Sequence, residues 1–345
     1  MDFTELASFE AAHKHLPWPW LAIHGRAFAY VSGSAAIETR ILEGEALVAG
    51  PSFPLPHDLH LPTTRLAAGK LHALPRGLRA LAVRSDATLV ALTGMAKQGS
   101  VLVTLGVGAE EVRSRVSTLL PNDFLLHAVA FDRSGTKLWV SAESKSETAL
   151  LLLDAQSHRV LGALRSAPFP PPSVHELHVH PQDDAVLLLA SCGQDGTFAR
   201  VAGFAGDEPL TAIPTALDDA GDPAGFVGFS ADGARVHLVE DAVLRTHAWP
   251  GLLELSCAEL ADDFASAYSG VVLSDRILLD GHDAEEGDED LVMQFDRSAL
   301  VGRVLSSPAP NGMWLGRLGA DALVTIESKG EPSRGKVLRV RKLAD

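Results

Sequence analysis

The densest gathering of residues able to do chemistry is His175, Glu176, His178 and His180. Neutral imidazole is a common metal ligand. On an extended strand His178 and His180 share one face and His175 takes the other, because side chains alternate. Two ligands on one strand face could open a metal site if others converged from elsewhere. Carboxylates form a second set. Glu143, Glu240, Asp280 and Glu327 stand at or just beyond the ends of apolar runs, with Asp241 and His282 close by. Facing inward together, they could hold Ca²⁺. The simpler reading is that the histidines fill packing positions or donate to backbone and the acids are solvated, so no metal and no cofactor is expected. The third set is the run DGHDAEEGDED, with Asp280, Asp283, Glu285, Glu286, Asp288, Glu289 and Asp290. Such a block repels itself and reads as an exposed loop, suited to steering a basic partner toward it.

The elements that carry these residues recur. HAVAFDRSGTKLWVSAES, from His127, reads as an apolar strand, a polar turn and a second apolar strand. ELHVHPQDDAVLLLASCG from Glu176, GFVGFSADGARVHLVEDA from Gly225 and LRALAVRSDATLVALTG from Leu78 follow the same pattern. Taking Val83, Phe131, His180 and Phe229 as the last residue before each turn gives spacings of 48, 49 and 49. Weaker copies begin at Trp20, near Ala267 and near Gly312, and most hairpins are followed by two further strand-like runs. Four short strands per unit at a period in the forties is the pattern of propeller blades. The expected architecture is all-β: seven four-stranded blades in one domain over 1–345, starting near 20, 79, 126, 174, 223, 267 and 312. Residues 53–78 are an insertion or the outer strand of the first blade. The last unit shows only three strands, so the N-terminal DFTELASFE is expected to supply the fourth and cover an open edge.

LASCGQDGTFARV, from Leu189 to Val201, resembles the second-to-third strand turn of WD-repeat propellers, and KLWVSAESKSETALLLLDAQSHRVLGAL is similar to YVTN-type repeats. The WD resemblance implies a buried hydrogen-bond chain of His175, Ser191 and Asp195. Val201 stands where that chain would place a Trp, so it is incomplete. The resemblance also implies a platform for other proteins.

Composition narrows the function. With 29 basic and 44 acidic residues the formal charge is −15, which argues against nucleic acid as the main partner and against anionic membranes. Two cysteines are too few for a disulfide framework. No apolar stretch has the length of a signal peptide or a membrane span, so a cytoplasmic protein without membrane insertion is expected. Neither a G-x-S-x-G elbow nor a P-loop occurs. The expectation is a non-catalytic scaffold or regulatory subunit of a bacterial multi-protein assembly, binding protein partners with a basic surface. The alternative is a lactonase-like hydrolase or small-ligand sensor with its site at a central channel.

Overall fold

The computed structural model of the chain describes residues 3–10, 21–32, 36–59, 77–121, 123–204, 210–217, 224–240, 243–261, 264–274, 276–283, 290–296, 302–306, 312–328 and 336–343. After the N-terminal strand β1 (Phe3–Glu10), the strands fall into sets of four. The first blade is β2 (Leu21–His24), β3 (Ala27–Val31), β4 (Ala36–Glu43) and β5 (Ala46–Pro54). The second is β6 (Gly77–Val83), β7 (Leu89–Ala96), β8 (Gly99–Gly106) and β9 (Val112–Arg115), followed by the one-turn helix α1 (Val116–Leu119). The third is β10 (Leu125–Phe131), β11 (Lys137–Glu143), β12 (Thr148–Asp154) and β13 (Val160–Ser166). The fourth is β14 (Val174–Val179), β15 (Ala185–Ser191), β16 (Thr197–Gly203) and β17 (Thr211–Ile213). The fifth is β18 (Ala224–Phe229), β19 (Arg235–Glu240), β20 (Val243–Ala248) and β21 (Leu253–Glu259). The sixth is β22 (Phe264–Val272), β23 (Arg276–Asp283), β24 (Asp290–Asp296) and β25 (Gly302–Ser306). The seventh is β26 (Gly312–Leu318), β27 (Ala322–Ser328) and β28 (Lys336–Leu343), and β1 is its fourth strand. Every blade is an antiparallel meander, and the whole is a seven-bladed β-propeller.

The segment from 53 onward thus begins inside β5, and Leu59 ends a short 3-10 turn; residues 60–76 lie outside the described residues. No described helix is long and apolar enough to cross a membrane.

By its contacts the chain divides into two units, residues 16–41 with 48–168, and residues 1–15 with 42–47 and 169–345. Within the first, β2, β6 and β10 lie side by side; within the second, β18, β22 and β26 do. Several middle strands are apolar almost without alternation, as in Leu150–Leu153 of β12 and Val186–Leu189 of β15, all buried, whereas β4 and β20 alternate and carry Glu38, Arg40 and Arg245. The unbroken apolar pattern belongs to strands covered on both faces. In the first unit Leu89, Ala91 and Leu102 of the second blade pack against Phe131, Leu138, Val140 and Leu151 of the third. In the second unit Leu187, Leu189 and Val201 of the fourth blade meet Phe229, Val236 and Leu238 of the fifth, while Leu188 and Ala190 face the other way against Phe169 and Cys192. The outer strands are the solvated ones: Val160 and Leu161 of β13 and Leu253 and Leu255 of β21 are exposed.

The turns repeat atom for atom. The N–H groups of Arg84, Asp132, His180 and Ser230 donate to the carbonyls of Leu89, Lys137, Ala185 and Arg235 at 2.9–3.0 Å. Those of Val107, Ala155, Phe204 and Trp249 reach back to the first turn of their own blade, at Thr88, Thr136, Asp184 and Ala234. These bonds correct the sequence alignment by one residue in the fourth blade. Val179, paired with Val186, is the counterpart of Val83, Phe131 and Phe229, and His180 is already a turn residue. The apolar–His alternation of this strand runs on into the turn because the His180 ring is itself buried.

The N-terminal strand pairs with β28 from Phe3 opposite Leu343 to Glu10 opposite Val337. Arg339 Nη1 donates to Glu5 Oε2 at 2.5 Å across this seam. Deleting residues 1–12 leaves β28 with an open edge and removes seven cross-strand pairs. The cost is expected to be on the order of 3 kcal/mol, from a few tenths to one kcal/mol per pair. Thermal and urea unfolding should register it as a sharp loss; an unchanged melting temperature refutes the closure.

Candidate functional site

The histidines of the fourth blade belong to its seam with the fifth. His180 Nε2 donates to Gly233 O at 2.8 Å, while Nδ1 accepts the N–H of Asp183 at 2.7 Å. Both ring nitrogens are thereby engaged, which leaves neither lone pair for a metal. The ring lies flat on Trp249, with centroids 4.7 Å apart, and edge-on to Phe229. Trp249 Nε1 in turn donates to Asp183 Oδ2 at 2.9 Å. His178 stacks on Phe226 at 3.7 Å and meets Glu176 Oε2 at 3.1 Å. Burial pushes the Glu176 carboxyl up, but the hydrogen bond and electrostatic attraction of the His178 ring outweigh it and hold it below its ordinary value. His178 and His180 do face one way, toward the fifth blade, and what they meet there is packing.

Of the three residues in the implied hydrogen-bond chain, His175 is buried, edge-on to Phe169 at 5.4 Å. Ser191 and Asp195 are exposed, so the three do not form one buried array. The neighbouring Thr197 is the buried member of that turn. Its Oγ1 accepts the N–H of Ala224, at the start of the next blade, at 2.9 Å. Ser100 does the same for Leu126 at 3.0 Å in the first unit. A hydroxyl at the start of the third strand is therefore the recurrent blade-to-blade bond.

The carboxylates sit where second strands end. Glu143 closes β11 and stands 4.0 Å from His127 Nε2. Glu240 closes β19 and is bound by Arg245 Nε at 2.6 Å, whose Nη1 holds Glu254. Asp280, half-buried near the end of β23, pairs with Val292, and Glu327, near the end of β27, pairs with Val337. Asp241 lies outside the described residues. Among the described residues no three His, Cys, Asp or Glu side chains gather as a metal cluster. The acidic run forms the far end of the β23–β24 hairpin, with His282 opposite Asp290 as the last pair and Asp283 following. Glu285, Glu286, Asp288 and Glu289 fall in the connection, outside the described residues.

Two groups carry more than the sequence suggested. His158, in the turn after β12, is buried between blades. Its Nε2 is 2.7 Å from Thr104 Oγ1 and its Nδ1 3.0 Å from Ser114 Oγ, both of the second blade. Burial pushes its pKa down to about 4 against weak opposition from Asp154. The other group is Arg79. It is a half-buried residue of β6 whose Nη2 is enclosed with no hydrogen-bond partner. The visible signal was one charge interrupting the apolar run GLRALAV.

No family model matches the sequence, and no curated protein is similar to it in sequence. Among solved structures the chain is similar to the β-propeller domain of Cps50 (Swd1) from Myceliophteria thermophila. The TM-score is 0.57 at 10% identity, covering 99% of this chain and 100% of that one. At that identity the likeness is one of fold. It agrees with the β-propeller that the seven four-stranded sheets define.

Gly233 has φ +68°, and a Cβ there would lie 2.6 Å from His180 Cε1. Because Trp249 and two hydrogen bonds clamp that ring, it cannot step aside. Gly233→Ala is expected to cost about 2 kcal/mol or more, from left-handed strain plus the clash; urea unfolding at the wild-type midpoint would refute the clamp. For His158, the unfolded chain takes up a proton near pH 6.5 and the folded chain only near 4. Stability is therefore full above pH 6.5 and falls through the window down to 4, by about 3 kcal/mol. His158→Asn, which tolerates the left-handed backbone, should flatten that part of the profile. An unchanged slope in unfolding free energy against pH would show that His158 does not set it.

Proposed function

We propose that this propeller is a non-catalytic protein-interaction scaffold, or a regulatory subunit of a bacterial multi-protein assembly, which engages a partner of basic surface through the acidic end of the β23–β24 hairpin. The observation that supports this most is the concentration of charge: Asp280, Asp283 and Asp290 are on the converging strand ends, and Glu285, Glu286, Asp288 and Glu289 are in the connection between them. Seven acids in eleven residues, in a chain of net charge −15, raise the encounter rate with a cationic surface and repel anionic ones. Nucleic acid and anionic membrane surfaces are disfavoured by the same field, and a cytoplasmic setting accords with two cysteines that form no disulfide. A metal-dependent hydrolase would use carboxylates such as Glu240, which Arg245 already neutralises.

The test is kinetic. A partner captured from native bacterial lysate is re-measured against the purified full chain and against a variant with Asp283, Glu285, Glu286, Asp288, Glu289 and Asp290 changed to Asn or Gln. Association at low salt is expected to slow about tenfold or more in the variant and to converge with wild type at high salt. Equal rates at low salt would remove the hairpin from the interface. Turnover of lactone or ester substrates by the purified chain would favour the hydrolase instead.

A further inference from the structure

Two basic side chains stand in matching bulges of the second and third blades, apart from the acidic hairpin. Arg79 is the extra residue of a bulge in β6, between Leu78, paired with Gly94, and Ala80, paired with Thr93. His127 stands in the corresponding bulge of β10, where the pairing jumps from Leu126–Ala142 to Val129–Val140. A bulge takes its extra residue out of the regular alternation and re-aims the side chain. In these two adjacent blades it presents a basic residue each time. Thr93 Oγ1, donating to His127 O at 2.8 Å, fixes the bulged backbone, as does Ser141 Oγ, which accepts the Ala128 N–H at 3.0 Å.

Within this frame the guanidinium of Arg79 is an unmatched charge. Its Nη2 is enclosed by protein without an acceptor, and no described carboxylate forms an ion pair with it. Burial is the one influence acting on its ionisation, and it disfavours the charged form. Partial burial of a cation with no counter-ion is unfavourable, and a polar atom left so in a folded protein calls for an explanation. A bound anion supplies one. Burial, and then the charge of Arg79, push His127 down to about 4, so at neutral pH its ring adds no second charge. Glu143, 14% exposed and 4.0 Å from that ring, puts a negative charge at the margin. One cation beside an uncharged ring suits a monoanion. The planar fork of arginine matches a carboxylate.

We propose that Arg79, in the bulge of β6 next to the blade whose bulge holds His127, is a receptor for a single carboxylate group carried by a small organic acid. This site is independent of the acidic hairpin, and either can fail without the other.

The experiment uses the full chain, with acetate as probe and chloride and phosphate as controls at matched ionic strength and neutral pH. Acetate is expected to raise the unfolding temperature in a saturable way, as a ligand of the native state does. It should also shift the ring C–H signals of one histidine in the proton NMR spectrum, identified as His127 by their loss in His127→Gln. Both effects should vanish in Arg79→Leu and weaken about tenfold in Arg79→Lys, which keeps the charge and loses the fork. Absence of saturable acetate binding to the wild-type chain overturns the proposal whether or not the variants fold. Equal binding by a folded Arg79→Leu overturns it too, and a stronger response to phosphate overturns the carboxylate assignment.

Discussion

A sheet covered on both faces has no solvent side on which to place polar residues, and that constraint shapes the rest of this molecule. In the second and third blades both middle strands are buried nearly throughout, and so is β15 of the fourth, as Leu150 to Leu153 and Val186 to Leu189 show. Polar chemistry is therefore driven to strand ends and turns, where hydrogen bonds can be completed. There it serves the seams. Thr197 and Ser100 receive the backbone of the next blade, His158 bridges two hydroxyls, and His180 caps the turn of its neighbour. Burying these four side chains at blade boundaries is tolerable because each has a partner there.

The same constraint explains what could be read from the residues. The fold was legible because doubly covered strands and their turns recur at a fixed interval, and the missing last strand could be traced to FTELASFE at the start. The one-residue slip at His180 has a physical cause. A buried ring in a turn is indistinguishable, in a string of letters, from a buried residue at a strand's end. The resemblance of Ser191 and Asp195 to a buried network misled for a related reason. Residue type does not reveal exposure, and the network that exists runs through Thr197. Arg79 and His158 were illegible because a bulge and a left-handed turn are events of the backbone, and neither leaves a reliable mark on residue type.

Two charged features of opposite sign are thus built into different places. The acidic run places Asp280, Asp283 and Asp290 on the converging ends of β23 and β24. Arg79 keeps a charge where solvent is partly excluded and where one counter-charge has the largest effect. Steering works at range and is screened by salt, whereas a half-buried guanidinium acts at contact and is screened far less.

The seam between β1 and β28 sets a clock on biosynthesis. Glu5 and Arg339, joined across it, are separated by 334 residues, so β1 leaves the ribosome long before its partner β28 is made. At roughly 5–20 residues per second, the wait is on the order of 20–70 s. Throughout it the nascent chain carries an eight-residue strand whose mate does not yet exist. The other six blades can form while it waits, but the sheet of β26, β27 and β28 gains its fourth strand only once β28 has been made.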